Sequence, residues 1–143
     1  MDAPTMSHVR VGRQCIAVAH RPVPLAAEDW AAFAQTVREV GKARGSVSFC
    51  VRIEGPGGPD AAMRAELNEL ADQFPIRAAI LTRSRLAKGV AMAISWIGKV
   101  KIKAFDPDKL GSAVAWLELP QTEHAELEDA LRKLAAELGT EPA

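Results

Sequence analysis

Apolar positions along the chain switch repeatedly between a period of two and a period near 3.6, and each switch marks an element. Residues 46–53, SVSFCVRI, alternate cleanly. Val47, Phe49, Val51 and Ile53 point one way, and Ser48, Cys50 and Arg52 the other, as in a strand with one face on a core. IRAAILT at 76–82 is short and apolar on both faces, the pattern of a central parallel strand. VRVGRQCIAVA at 9–19 reads as one strand or a small hairpin turning near Gly12. KVKIKAF at 99–105 is a last strand with Val100, Ile102 and Ala104 inward and three lysines outward.

Between these runs the helical period returns. Trp30, Phe33, Val37 and Val40 recur at helical spacing until Gly45 stops the helix. Asp60 is placed to cap a helix to residue 73 that carries Met63, Leu67 and Leu70. Ser84 is placed to cap a helix from about Arg85 to Ile97, with Leu86, Val90, Ala93, Ile94 and Ile97 as its inward stripe. Met92 and Trp96 form a second apolar strip on that helix, flanked by Lys88 and Lys99. Asp106 or Asp108 caps a helix over 107–118, and Pro120 ends it. A final amphipathic helix carries Leu127, Leu131, Leu134 and Leu138 on one stripe.

Strands alternating with helices predict an α/β domain with a mostly parallel sheet. The expected division is a flexible start at 1–8, one domain over 9–119, a C-terminal helix at 121–138 and a tail at 139–143. A chain of 143 residues with 48% hydrophobic and 25% charged residues suits one self-sufficient core.

Composition removes several function classes. No apolar run reaches the ~18 residues a spanning helix needs, and no signal-peptide pattern opens the chain. The expected location is therefore cytoplasmic. Cys15 and Cys50 sit in apolar runs without metal-type spacing, so they read as buried reduced thiols and no metal is expected. EGPGGPD places glycines between a strand and a helix, but Pro56 and Pro59 lack the amides a phosphate cradle uses. His8, His20 and His124 are scattered, with no nucleophile or paired carboxylate at catalytic spacing. The chain reads as a non-enzyme without a cofactor.

The net charge is zero, yet it is segregated. Residues 77–103 carry seven lysines and arginines and no acid, whereas 104–143 carry nine acids against three basic residues. The lysines of the last strand serve to protect a sheet edge or face. Without stacking aromatics beside them, nucleic acid is not an expected partner.

Three stretches carry a resemblance to a known family: the opening strand with LAAEDWAAFAQTVREV, SVSFCVRIEG followed by a helix and FPIRAAILT, and VKIKAFDPDKLGSAVAWL. Together, from about Val9 to Leu119, they resemble the SpoIIAA-like STAS/SEC14 group of the anti-sigma-factor antagonist superfamily. The resemblance implies a single-domain SpoIIAA-like β/α superhelix with a four- to five-stranded mixed sheet, here with an extra C-terminal helix. It also implies a non-enzymatic regulatory domain that binds a protein partner, in some relatives switched by phosphorylation of a serine that opens the helix after a central strand.

The matching position is Ser84, although the Asp-Ser-Ser-Gly type signature of regulated members is absent and arginines flank the serine. The expected binding surface is Ser84, Arg85, Lys88, Met92 and Trp96, with Ser84 as the candidate phosphorylation site. The SEC14 side of the group implies an alternative, a small carrier or sensor of a lipid or other amphipathic anion. The leucine stripe of the C-terminal helix is a candidate homodimer surface, or a cover for the Met92/Trp96 strip.

Overall fold

Among the described residues the alternating runs become five strands and the helical runs five helices. A computed structural model describes residues 4–55 and 57–139, leaving aside the side chains of residues 94–97. The strands are β1 (Met6–Val11), β2 (Cys15–His20), β3 (Val47–Ile53), β4 (Ile76–Leu81) and β5 (Lys101–Phe105). The helices are α1 (Ala27–Arg44), α2 (Ala61–Gln73), α3 (Arg85–Ile97), α4 (Leu110–Trp116) and α5 (His124–Leu138). Short 3-10 turns, Pro107–Lys109 and Gln121–Glu123, lead into α4 and α5.

The sheet order is β1-β2-β3-β4-β5. β1 and β2 form an antiparallel hairpin, and every later pairing is parallel. The hairpin turns at Gly12, whose φ of 62° lies in the left-handed region that a residue without Cβ enters freely. Parallel strand–helix–strand crossovers are right-handed almost without exception. Three of them stepping in one direction put α1, α2 and α3 on the same face.

That face is the larger core. Trp30, Phe33, Val37 and Val40 of α1 and Met63 and Leu70 of α2 pack on Ile16, Val18, Phe49, Val51 and Ala78. Phe33 meets Phe49 edge-on at 5.0 Å. The opposite face, with Val11, Cys15, Ala17, Cys50, Ala79 and Leu81, is covered by α4 and α5. Caps hold two of the helices: Asp60 accepts from the Met63 amide at 2.9 Å, and Ser84 accepts from the Ala87 amide at 3.1 Å.

Several expectations change here. The stretch 1–8 is not a free lead-in, because Met6, Ser7 and His8 are paired to His20, Ala19 and Val18. Met6 is buried in the core, and Asp29 anchors the preceding Thr5 at its amide and hydroxyl, 2.9 and 2.5 Å away. Residues 1–3 and most of the expected tail, 140–143, lie outside the described residues.

The leucine stripe of α5 is not a surface for a second copy. Leu127, Leu131, Leu134 and Leu138 are all buried against this chain's own sheet. Nor does α5 cover the α3 strip, since the two helices lie on opposite faces. Asp106 precedes the 3-10 turn without making a side-chain cap bond. Its carboxylate instead takes the Lys88 ammonium, tying the end of β5 to α3.

Candidate functional site

Helix α3 is the element whose orientation departs most from its apolar pattern. Ala87 and Ala91 are the residues turned inward, 3% and 8% exposed. Leu86, Val90 and Met92 are turned to solvent, at 64%, 43% and 63%. The expected inward stripe through Leu86, Val90 and Ala93 is therefore displaced by one residue, about 100° around the axis. Ile94 and Ile97 of that stripe, and Trp96 of the second strip, have side chains outside the described residues.

The cause is position in the sheet. α3 returns the chain to β5, which pairs only with β4 and so forms the sheet edge. α3 packs chiefly on β5, and a helix over an edge meets protein along a narrow line. Two alanines let it approach that line closely, and its larger apolar residues are left facing out.

The predicted surface residues separate into two groups. Arg85 and Met92 are exposed on α3, and are joined there by Leu86, which the apolar pattern had placed inward. Ser84 is engaged as the cap, its own amide bonded to the Thr82 hydroxyl at 3.1 Å. Lys88 is committed to Asp106, whose carboxyl is held below its usual range first by that hydrogen bond and then by the Lys88 charge. Sequence spacing had grouped Lys88 with the strip; the ion pair makes it part of the scaffold under it.

Beneath α3 lies a cavity of about 140 Å³ between the helices and the larger core face. Val18, Phe49, Val51, Ala78 and Ile80 line its sheet side, and Ala87, Val90 and Ala91 its α3 side. Val90 belongs both to this lining and to the exposed face. Two polar side chains reach the cavity, His20 and Arg64. Arg64 spends one donor on the Pro59 carbonyl at 2.8 Å. His20 is 6% exposed, and burial pushes its imidazole below the ordinary pKa against the opposing pull of the Arg21 carbonyl, 2.9 Å from Nδ1. No expectation had marked His20 or Arg64 as cavity residues. Each is separated from α3 by a strand or a helix, and only the sheet order brings them together.

Catalytic chemistry would need a base beside an orienting acid and a nucleophile. His20 bonds a carbonyl rather than an acid. Both cysteines are buried free thiols whose pKa burial raises, Cys50 to about 12, so neither supplies a thiolate near neutrality. Among the described residues no group of three or more His, Cys, Asp or Glu side chains is placed to hold a metal ion. No described helix is long and apolar enough to cross a membrane.

With the geometry in hand, comparison with known proteins decides the fold. Neither a protein-family model nor a curated protein matches the sequence. A solved structure does match: an uncharacterized protein of the DUF3478 family with a SpoIIAA-like fold, from Shewanella loihica PV-4. The match covers 82% of this chain and 95% of that one, at 16% identity and a TM-score of 0.53. The chain has the SpoIIAA-like fold. For this SpoIIAA-like chain, identity of 16% carries the fold and nothing further.

Proposed function

We propose that this SpoIIAA-like chain is a non-enzymatic regulatory domain that binds a protein partner through the outer face of α3. The observation that supports this most is the orientation of α3, which exposes Leu86, Val90 and Met92 while burying alanines. Leaving large apolar side chains in water forgoes roughly 1.5–3 kcal/mol apiece. Leu86 and Val90, one turn apart, with Met92 further round the exposed side and Arg85 between, suit a partner with apolar patches and acidic surroundings. Ser84 is the position where a phosphate switch would act. It opens α3, where the helix dipole and the adjacent Arg85 favour added negative charge. The natural compartment for such a regulator is the cytoplasm.

The test is recovery of a partner from the native host by tagged protein, comparing wild type with the Leu86→Asp/Met92→Asp double variant. The expected outcome is loss of the recovered partner with an unchanged melting temperature. Equal recovery by the variant would refute the assignment of this face.

A second reading is favoured by the cavity alone. Its 140 Å³ is close to the roughly 150 Å³ apolar hollow known to admit benzene. It fits a ring or a short run of methylenes, and a two-chain lipid only if α3 swings away. Native mass spectrometry of freshly purified protein separates the readings. Extra mass of a single small apolar molecule supports a carrier or sensor, and a bare mass with no thermal shift from fatty acids counts against it.

A further inference from the structure

The face of the sheet opposite α3 carries a second hollow of different character. Arg52, one residue before the end of β3, lies on the same face as Cys50, and the strand register sets it beside Leu81. Arg83 lies two residues beyond Leu81 and so returns to that face one strand over. Both arginines line a cleft of about 380 Å³ at the carboxyl ends of the parallel strands. The 3-10 turn before α4 contributes Asp108, and α5 contributes His124, Glu128 and Arg132. Ligands of open α/β sheets collect at such strand ends.

The charges in this cleft are unequally satisfied. Arg132 is held by Glu128 at 3.6 Å and by Asp129 at 4.0 Å. His124 stands 3.9 Å from the same Glu128. Arg52 has a buried Nε without a hydrogen-bond partner, and the Glu54 carboxylate is 3.7 Å from it, too far for a hydrogen bond. Arg83 makes no hydrogen bond or ion pair among the described residues; Asp106 feels its charge only at longer range. Two guanidinium groups, one on β3 and one just past the end of β4, thus face one cleft, Arg52 with its Nε unsatisfied and Arg83 open to solvent. Leaving the buried Arg52 Nε dry is unfavourable, and an oxyanion in the cleft would satisfy it while drawing the solvent-facing Arg83 into a second bond.

The opposite wall limits what else the ligand carries. Asp108 and Glu128 repel a second anionic group but accept hydrogen bonds from hydroxyls. The volume lies in the range of small-molecule sites, roughly 300–1,000 Å³, and a bare phosphate would leave most of it empty. We propose that this cleft binds a small phosphorylated sugar or polyol, its phosphoryl group on Arg52 and Arg83 and its hydroxyls toward Asp108 and Glu128. The site is separate from the α3 face, so its failure would leave the partner-binding reading untouched.

Titration calorimetry on the full chain tests it with glucose 6-phosphate, inorganic phosphate and glucose as probes. The sugar phosphate is expected to bind about tenfold more tightly than inorganic phosphate, and glucose to give no heat. Arg52→Gln and Arg83→Gln are each expected to weaken the sugar phosphate about tenfold or more, while the exposed Lys133→Gln changes it less than about twofold. Arg83 is exposed, so its variant keeps the test valid even if Arg52→Gln perturbs folding.

A variant that alters shape and not charge adds an independent arm. A Cβ placed on Gly111 would sit 3.6 Å from the His124 ring, so Gly111→Leu extends into the cleft and is expected to abolish binding. Unchanged affinity in the Arg52→Gln/Arg83→Gln double variant would overturn the proposal. So would equal losses in Lys133→Gln, or equal affinities for inorganic phosphate and the sugar phosphate.

Discussion

Gly41 occupies a helical position where the absence of a side chain is a packing requirement. A Cβ there would overlap the ring of Phe74, which is buried. Gly41→Ala improves helix propensity by about 1 kcal/mol but overpacks a site that costs about 1–3 kcal/mol to relieve. The net effect is a loss of stability, expected at about 1 kcal/mol and read from urea unfolding. His20 gives a second residue-level test, of opposite chemistry. Burial lowers its pKa below the unfolded value near 6.5. The neutral ring is thus the form the fold accepts, and the unfolded chain binds the proton more readily. Its contribution is complete above about pH 6.5 and declines as pH falls below that value. His8 shifts the same way, so it adds to the slope. Stability of the wild type is expected to drop between pH 7 and pH 5, and His8→Gln/His20→Gln should flatten that drop. An equally steep profile in the variant would refute the assignment.

At the scale of elements, strands were more legible than helix orientation, for a physical reason. A strand that packs on one side alternates, so β3 could be assigned both position and facing from Val47, Phe49, Val51 and Ile53 alone. α3 is apolar on more than one side, and such a helix has no unique inward direction until its neighbour is known. The neighbour is an edge strand, and the small residues won. Substitutions separate the two faces cleanly. Ala87→Asp puts a charge against β5 and is expected to cost about 3 kcal/mol or more. Leu86→Gln, one position away, should change stability by no more than about 0.5 kcal/mol. Paired urea titrations decide this, and comparable losses would mean that Leu86 is covered. The polar cleft was illegible for another reason. Arg52 and Arg83 become neighbours only through the β3–β4 register, which no local pattern reveals. Asp106 was likewise read as a cap, since a helix start follows it, while its partner Lys88 lies on a different helix.

For the whole molecule, α1, α2 and α3 share one face, and the other is closed by chain that follows β5. α5 therefore does for Val11, Ala17 and Cys50 what three helices do for the other side. Removing residues 121–143 should leave no stable domain. Its expected signature is a loss of cooperative thermal unfolding together with strong ANS fluorescence, and a truncated chain that melts sharply with little dye binding would contradict it. The same arrangement has a consequence during synthesis. When β5 has left the ribosome, one side of the sheet is already dressed and the other is still bare. At roughly 5–20 residues per second, the 33 or so residues from Asp106 to Leu138 take about 2–7 seconds to be made. For that interval the nascent protein presents an apolar sheet face spanning its first four strands, and it is then that a chaperone would find it.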